Sequence, residues 1–212
     1  DCVGAQDPVS RMEPHTMLKH LDSTLPQALE MVEFWSDFGQ NHLKAGQINS
    51  FDHIVPNKGD HVSKGGSPEQ AYGQCWWKVE PDEALIYEVE VPECVYWGVQ
   101  LGDVWYQSLD WVNRQSSLNG HQASIGSDGV FRAVISHKDP GVLNWLDTTG
   151  ATQGCITYRW NQSELSPVPT LTLVPFESLN EYIPSTEKRV DTDQRIELLL
   201  RRRHAALSRF LR

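Results

Sequence analysis

From Ala71 to Phe176 the hydrophobic pattern repeats every second residue, and Gly, Pro, Asn or Asp interrupts it about every ten. In EALIYEVEV, Leu85, Tyr87, Val89 and Val91 alternate with Ile86, Glu88 and Glu90, which predicts one buried and one wet strand face. AYGQCWWKV precedes it across a Pro81-Asp82 turn. CVYWGVQLGD follows, with Val95, Trp97, Val99 and Leu101 on one face, and WYQSLDWVN reads as a further strand. Ser127-Asp128-Gly129 marks a hairpin into VFRAVISHK, where Phe131, Ala133 and Ile135 alternate inward; QGCITYRW and TLTLVPF complete the series. No helical period separates these runs. Parallel sheets need crossover segments, usually helices, so the pattern predicts a mainly β fold: an antiparallel β-sandwich of jelly-roll type.

Helical spacing flanks this core on both sides. It begins near His15 and is strongest from about Pro26 to Ala45. Ala28, Met31, Val32, Trp35, Phe38 and Leu43 recur at three- and four-residue steps, giving a face suited to packing on a sheet. Pro26 suits a first helical position and Gly46 a C-terminal stop. From about Asp191 a second helix is capped by Asp191 or Thr192. It carries a stripe of Ile196, Leu199, Leu200, Leu207, Phe210 and Leu211, and six arginines. The predicted organisation is an extended arm, helix and long loop over residues 1–68, a β-sandwich over 69–177, and a linker with a basic helix over 178–212. Starting at Asp1 without a methionine or a signal pattern, the sequence reads as a processed or partial chain, and it assigns no compartment.

Composition excludes several classes. At 39% hydrophobic and 22% charged residues the chain is too apolar for disorder. A net charge of −10 opposes binding to a phosphate backbone, so no nucleic-acid partner is predicted. No apolar run approaches the ~20 residues that span a bilayer. Cys2, Cys75, Cys94 and Cys155 lack CxxC spacing and read first as free, buried thiols, with a disulfide and then a catalytic thiol as the alternatives.

The blocks PDEALIYEVEVPECVYWGVQL, QSLDW, SLN with Gln122, SDGVFRAVISHKDPGVLNWLDT and the closing YRW occur in that order over residues 70–162. In this the chain resembles the bacterial family called domain of unknown function 1214, whose members often follow a domain of unknown function 1254. The resemblance implies a jelly-roll-like domain and no particular chemistry.

Two constellations could carry chemistry. His137, Asp139 and Asp147, with His121 on the preceding loop, would form a rim. Two residues apart at a strand end, His137 and Asp139 can share a face, suiting acid–base catalysis. His121, His137 and Asp139 are the residues that would hold a metal, although neither a metal nor a cofactor is predicted. The plainer role is loop bracing, with Asp139 capping the Asp139-Pro140-Gly141 turn. His53, Asp60 and His61 lie in the long loop without ligand spacing. The second constellation is a ligand surface of aromatic and amide side chains: Trp105, Trp111, Asn119, Gln122, Asn144, Trp145 and Arg159. Trp97 and Trp160 are expected in the core and Trp76 and Trp77 at the surface. Arg159 is expected to pair with Glu88 or Glu90. The function expected is a binding or assembly module for a glycan, a small apolar ligand or a protein partner. Association, with another protein or as a homo-oligomer, would run through the terminal arm and helix. The alternatives are a hydrolase-like enzyme at the His/Asp rim and a structural subunit of a larger complex.

Overall fold

The structure is a computed structural model describing residues 13–51, 67 and 69–209. Eight strands follow a long helix: α1 (Pro14–Lys44), β1 (Gln70–Lys78), β2 (Glu83–Glu90), β3 (Tyr96–Gly102), β4 (Ser117–Asn119), β5 (Val130–Ser136), β6 (Trp145–Asp147), β7 (Gln153–Asn161) and β8 (Thr170–Pro175). Two helices close the chain, α2 (Leu179–Tyr182) and α3 (Thr192–Leu207). The expected extended arm, Cys2, the His53/Asp60/His61 loop, Phe210 and Leu211 lie outside the described residues.

The strands form two four-stranded sheets. The first has the order β1-β7-β3-β4 and is wholly antiparallel; the second has the order β6-β5-β2-β8, with only β5 and β6 parallel. Alternation explains the core. Phe131, Ala133 and Ile135 of β5, Leu85, Tyr87 and Val89 of β2, and Trp97, Val99 and Leu101 of β3 join Ile156, Tyr158 and Trp160 of β7 in one buried cluster. Aromatic edges and faces meet inside it: Trp97 lies 4.8 Å from Phe131, and Tyr158 lies 5.3 Å from Phe51, centroid to centroid. Each such ring brings roughly 4–6 kcal/mol of gross transfer free energy.

Several expectations need correction. Trp76 and Trp77, expected at the surface, are buried. Trp77 faces the core and donates to the Cys155 carbonyl, while Trp76 on the other face is covered by His42, stacked at 4.7 Å. Ile86 is not wet. With Ala84, Val134, Val142, Val174, Leu179 and Ile183 it builds a second apolar cluster outside the main core. WYQSLDWVN is turn rather than strand, and Val95 precedes β3 and is exposed. Cys75 and Cys155 are free and buried, whereas Cys94 is free but only half-buried.

Helix α1 starts twelve residues before Pro26, which sits inside it without breaking it. Its end follows the expected stop. Gly46 has φ +68°, its N–H reaches the Leu43 carbonyl, and the Gln47 N–H reaches that of His42, closing a Schellman turn. The chain divides into two compact units, Asp1–Phe38 and Gly39–Arg212. In the first, Met31 and Val32 are exposed, as is Trp35, so the apolar face is not spent within that unit.

The α3 cap is as predicted. The Asp191 carboxylate accepts from the Gln194 N–H, and the Gln194 side chain accepts from the Asp191 N–H. The docking face is not the predicted stripe, because Ile196, Leu200 and Leu207 are exposed while Arg195 and Ala206 are buried. Arginine leads the contact because the surface beneath offers carbonyls. Arg195 donates to those of Val142 and Leu143, and Arg202 to those of Trp111 and Ser117.

Candidate functional site

The two predicted constellations meet different fates. At the rim, β5 ends at Ser136, so His137 and Asp139 do not continue the inward series. The His137 ring bridges the Val79 carbonyl (Nε2, 3.0 Å) and the Thr148 hydroxyl (Nδ1, 3.2 Å). Asp139 accepts from the Gly141 N–H at 2.9 Å and from Arg195 Nε at 2.8 Å. Asp147, almost fully buried, holds Arg114 through both carboxylate oxygens at 2.7 and 3.2 Å and caps the Thr149 N–H. Each carboxylate already faces a guanidinium, and His121 lies on an exposed turn. Among the described residues no group of three or more His, Cys, Asp or Glu is placed to hold a metal.

Of the seven ligand candidates, two are structural. Asn144 is buried, accepting from the Ser124 N–H and donating to the Ser124 and Arg132 carbonyls. Trp145 is also buried, with its ring N–H on the Ser136 carbonyl and the Arg195 guanidinium 5.2 Å above its ring. Trp105 is exposed on the turn after β3; Trp111 is half-exposed and its carbonyl accepts from Arg202.

The remaining three, Asn119, Gln122 and Arg159, come together. They line a half-open hollow of about 70 Å³ on the outer face of the first sheet, with Tyr96, Gly98, Gln100 and Ser117. Register explains how it forms. Tyr72, Arg159, Gly98 and Asn119 lie in one row across β1, β7, β3 and β4, and Gln74, Thr157, Gln100 and Ser117 in the next. Alternation sends these side chains outward, because Tyr158 and Trp160 must enter the core. Gly98 makes the floor: a Cβ there would come within 3.0 Å of the Tyr96 hydroxyl and 3.3 Å of the Leu118 carbonyl. Asn119 spends its carbonyl oxygen on the His121 and Gln122 N–H groups, which leaves its amide N–H₂ for the hollow.

Arg159 is not paired with Glu88 or Glu90, because it lies on the other sheet; Glu88 instead accepts from Arg132 at 2.7 Å. The Arg159 guanidinium sits 5.5 Å from the Tyr72 ring centroid, and none of the salt bridges of the described residues includes it. Tyr106 also belongs to this face. Its backbone has φ +66°, a conformation a tyrosine rarely adopts, and its hydroxyl donates to Gln74. Burial pushes the Tyr106 phenol up, while a hydrogen bond from Thr157 and the nearby Arg159 charge pull it down. Sequence reasoning missed Tyr72, Tyr96, Gly98, Gln100 and Tyr106. The outward parity of β1, β3 and β7 was the signal that could have found the first four.

These features define a class: a mainly β protein of two packed sheets with a helix at each end and a polar, arginine-bearing hollow on one outer face. A crystal structure of an uncharacterized protein from Burkholderia cenocepacia is similar at 30% identity and a TM-score of 0.61, over 68% of this chain and 39% of that one. The VPA0106 protein from Vibrio parahaemolyticus is similar at 16% identity and a TM-score of 0.44, over 55% of this chain and 34% of that one. The chain thus spans well under half the length of either. No protein-family model matches the chain, and no curated protein matches it.

Proposed function

We propose that this chain is a binding module whose small, polar ligand lies in the hollow around Arg159 and Gly98. One observation carries the reading: a guanidinium without a carboxylate partner faces a concave patch of amides and hydroxyls. Buried and half-buried polar groups are ordinarily matched, so an unmatched donor set in a concavity favours a partner from outside. The ion pairing of Asp139 and Asp147 favours binding over hydrolysis at the rim. The block pattern over residues 70–162 supports membership of the family called domain of unknown function 1214. The insertion of β7 between β1 and β3, with β5 beside β2, supports the jelly-roll description.

The test is a two-dimensional amide NMR titration of the full chain with a library of small polar molecules. Shifts are expected to cluster at Gly98, Asn119, Gln122 and Arg159. Hits that cluster at residues 137–147 instead would restore the rim.

A second reading, assembly, is favoured by α1. Leu18, Leu21, Leu25, Ala28, Val32 and Trp35 follow alternating three- and four-residue steps, and all are exposed. That spacing suits another helix as partner, and a second copy of α1 meets it with Asp22 as the one acidic or basic residue flanking the seam.

A further inference from the structure

We infer that the hollow receives the carboxylate of a small hydroxylated acid, a deepening that rests on the binding-module reading above. The charge pattern argues first. Arg114 and Arg132 of the β body and Arg195 of α3 each face at least one carboxylate, at 2.6–2.8 Å for their closest contacts, whereas Arg159 faces none. The half-buried Arg202 also lacks a carboxylate but donates to the Trp111 and Ser117 carbonyls, whereas no side-chain hydrogen bond of the described residues gives Arg159 such an acceptor, in a chain of net charge −10. The residues lining the hollow include no acid.

Geometry narrows the anion. Opposite Arg159 on β3 stands Gly98, so no side chain covers that flank of the guanidinium. Its planar fork of N–H donors matches a carboxylate through two parallel bonds. A phosphate dianion ordinarily draws on more than one cation or on a cluster of backbone N–H groups, and this sheet face has neither within the hollow. The donors beside the fork are neutral: the amides of Asn119 and Gln122 and the Tyr96 hydroxyl. They suit oxygens carried close to the acid, a ring oxygen on the adjoining carbon and hydroxyl groups on the carbons beyond it. At about 70 Å³ and open to solvent, the hollow holds a head group, with the rest of the molecule lying along the Tyr72 and Tyr96 side of the sheet.

The experiment titrates the full chain with acetate, galacturonate, galactose and inorganic phosphate, following amide and Arg Nε–H shifts, and repeats the series with Arg159→Gln and Arg159→Lys. Galacturonate is expected to bind at Gly98, Gln122 and Arg159 at least tenfold more tightly than galactose, and acetate to perturb the same signals. Arg159→Gln should bring galacturonate down to the galactose level with an unchanged unfolding midpoint, while Arg159→Lys retains part of the difference. Equal binding of galactose and galacturonate, indifferent to Arg159→Gln, would overturn the carboxylate but leave a binding module. Tighter binding of phosphate would overturn it in favour of phosphate. If all four probes leave these signals unmoved, the acid is excluded, and the library titration decides separately on the module.

Discussion

Arginine does three kinds of work in this chain, and the residue beside each one decides which. Arg195 is buried on α3 and satisfied by the Asp139 carboxylate, the Gln115 side chain and two carbonyls, with the Trp145 ring beneath it. Arg132 on β5 gathers Glu88, Asp128 and Glu187 and so ties the segment after β8 to the second sheet. Arg159 has only tyrosine and amides beside it. Because Arg195 cannot shed its proton, Asp139→Asn strands a buried cation and is expected to lower stability by about 3 kcal/mol. His137→Ala should cost about 1–2 kcal/mol by orphaning the Val79 carbonyl and the Thr148 hydroxyl. Urea denaturation measures both, and neither variant should change binding at the hollow. A catalytic rim would give the opposite pattern, with normal stability and lost turnover. The sequence suggested this rim because His137 and Asp139 have the spacing of one strand face. What it did not carry is that β5 stops at Ser136 and that the partner of Asp139 lies 56 residues further along the chain.

At the scale of elements, period-two alternation was enough to locate β1, β2, β3, β5, β7 and β8. The three-residue strands β4 and β6 are too short to show a period, and they exist because longer strands template them. The burial of both Trp76 and Trp77 escapes the period for a related reason. Consecutive residues point to opposite faces, and the sequence does not reveal that the outer face at Trp76 is covered by His42. Helix α1 poses the converse problem, since its apolar spacing is legible and suits packing on a sheet, yet Val32 stands 67% exposed. Charges on α1 fall at Lys19, Asp22, Glu30, Glu33, Asp37 and Lys44, and of these only Asp22 flanks the Leu18–Leu25–Val32 line, so a helix–helix seam there is nearly free of charge. The full chain is therefore expected to reach twice its 24.1 kDa mass at tens of micromolar, as judged roughly by sedimentation equilibrium. Leu25→Glu or Val32→Glu should return it to monomer without unfolding it, because neither side chain is buried. Glu33→Gln, off the seam, should leave association intact. A monomer at every concentration would remove self-assembly and leave the hollow untouched.

For the molecule as a whole, pH defines both edges of stability. On the acid side, Arg132 holds the Asp128 carboxyl down at about 2. A depressed carboxyl stabilises above its unfolded value near 4 and stops doing so as pH falls toward 2, so the Arg132 cluster should loosen in that window. The alkaline edge is set by the core. Burial pushes the Cys155 thiol up to about 12 and raises Cys75, Tyr87 and Tyr158 well above their ordinary values. These groups stay protonated in the folded chain while the unfolded chain releases their protons, the cysteines from about pH 8.5 and the tyrosines from about pH 10. The folded state then binds more protons than the unfolded one, so stability falls as pH rises. Each group that ionises only on unfolding steepens the fall by about 1.4 kcal/mol per pH unit. Urea midpoints should hold roughly level from pH 6 to 8, decline from about 9 and decline faster beyond 10. Tyr158→Phe is the sharpest check, because the Tyr158 hydroxyl is buried without a hydrogen-bond partner and its removal forfeits no bond. The variant should match or exceed the parent at pH 7 and show a shallower decline above pH 10. An unchanged slope would mean that solvent reaches Tyr158 in the folded chain and that the two sheets pack less closely than the buried aromatic cluster requires.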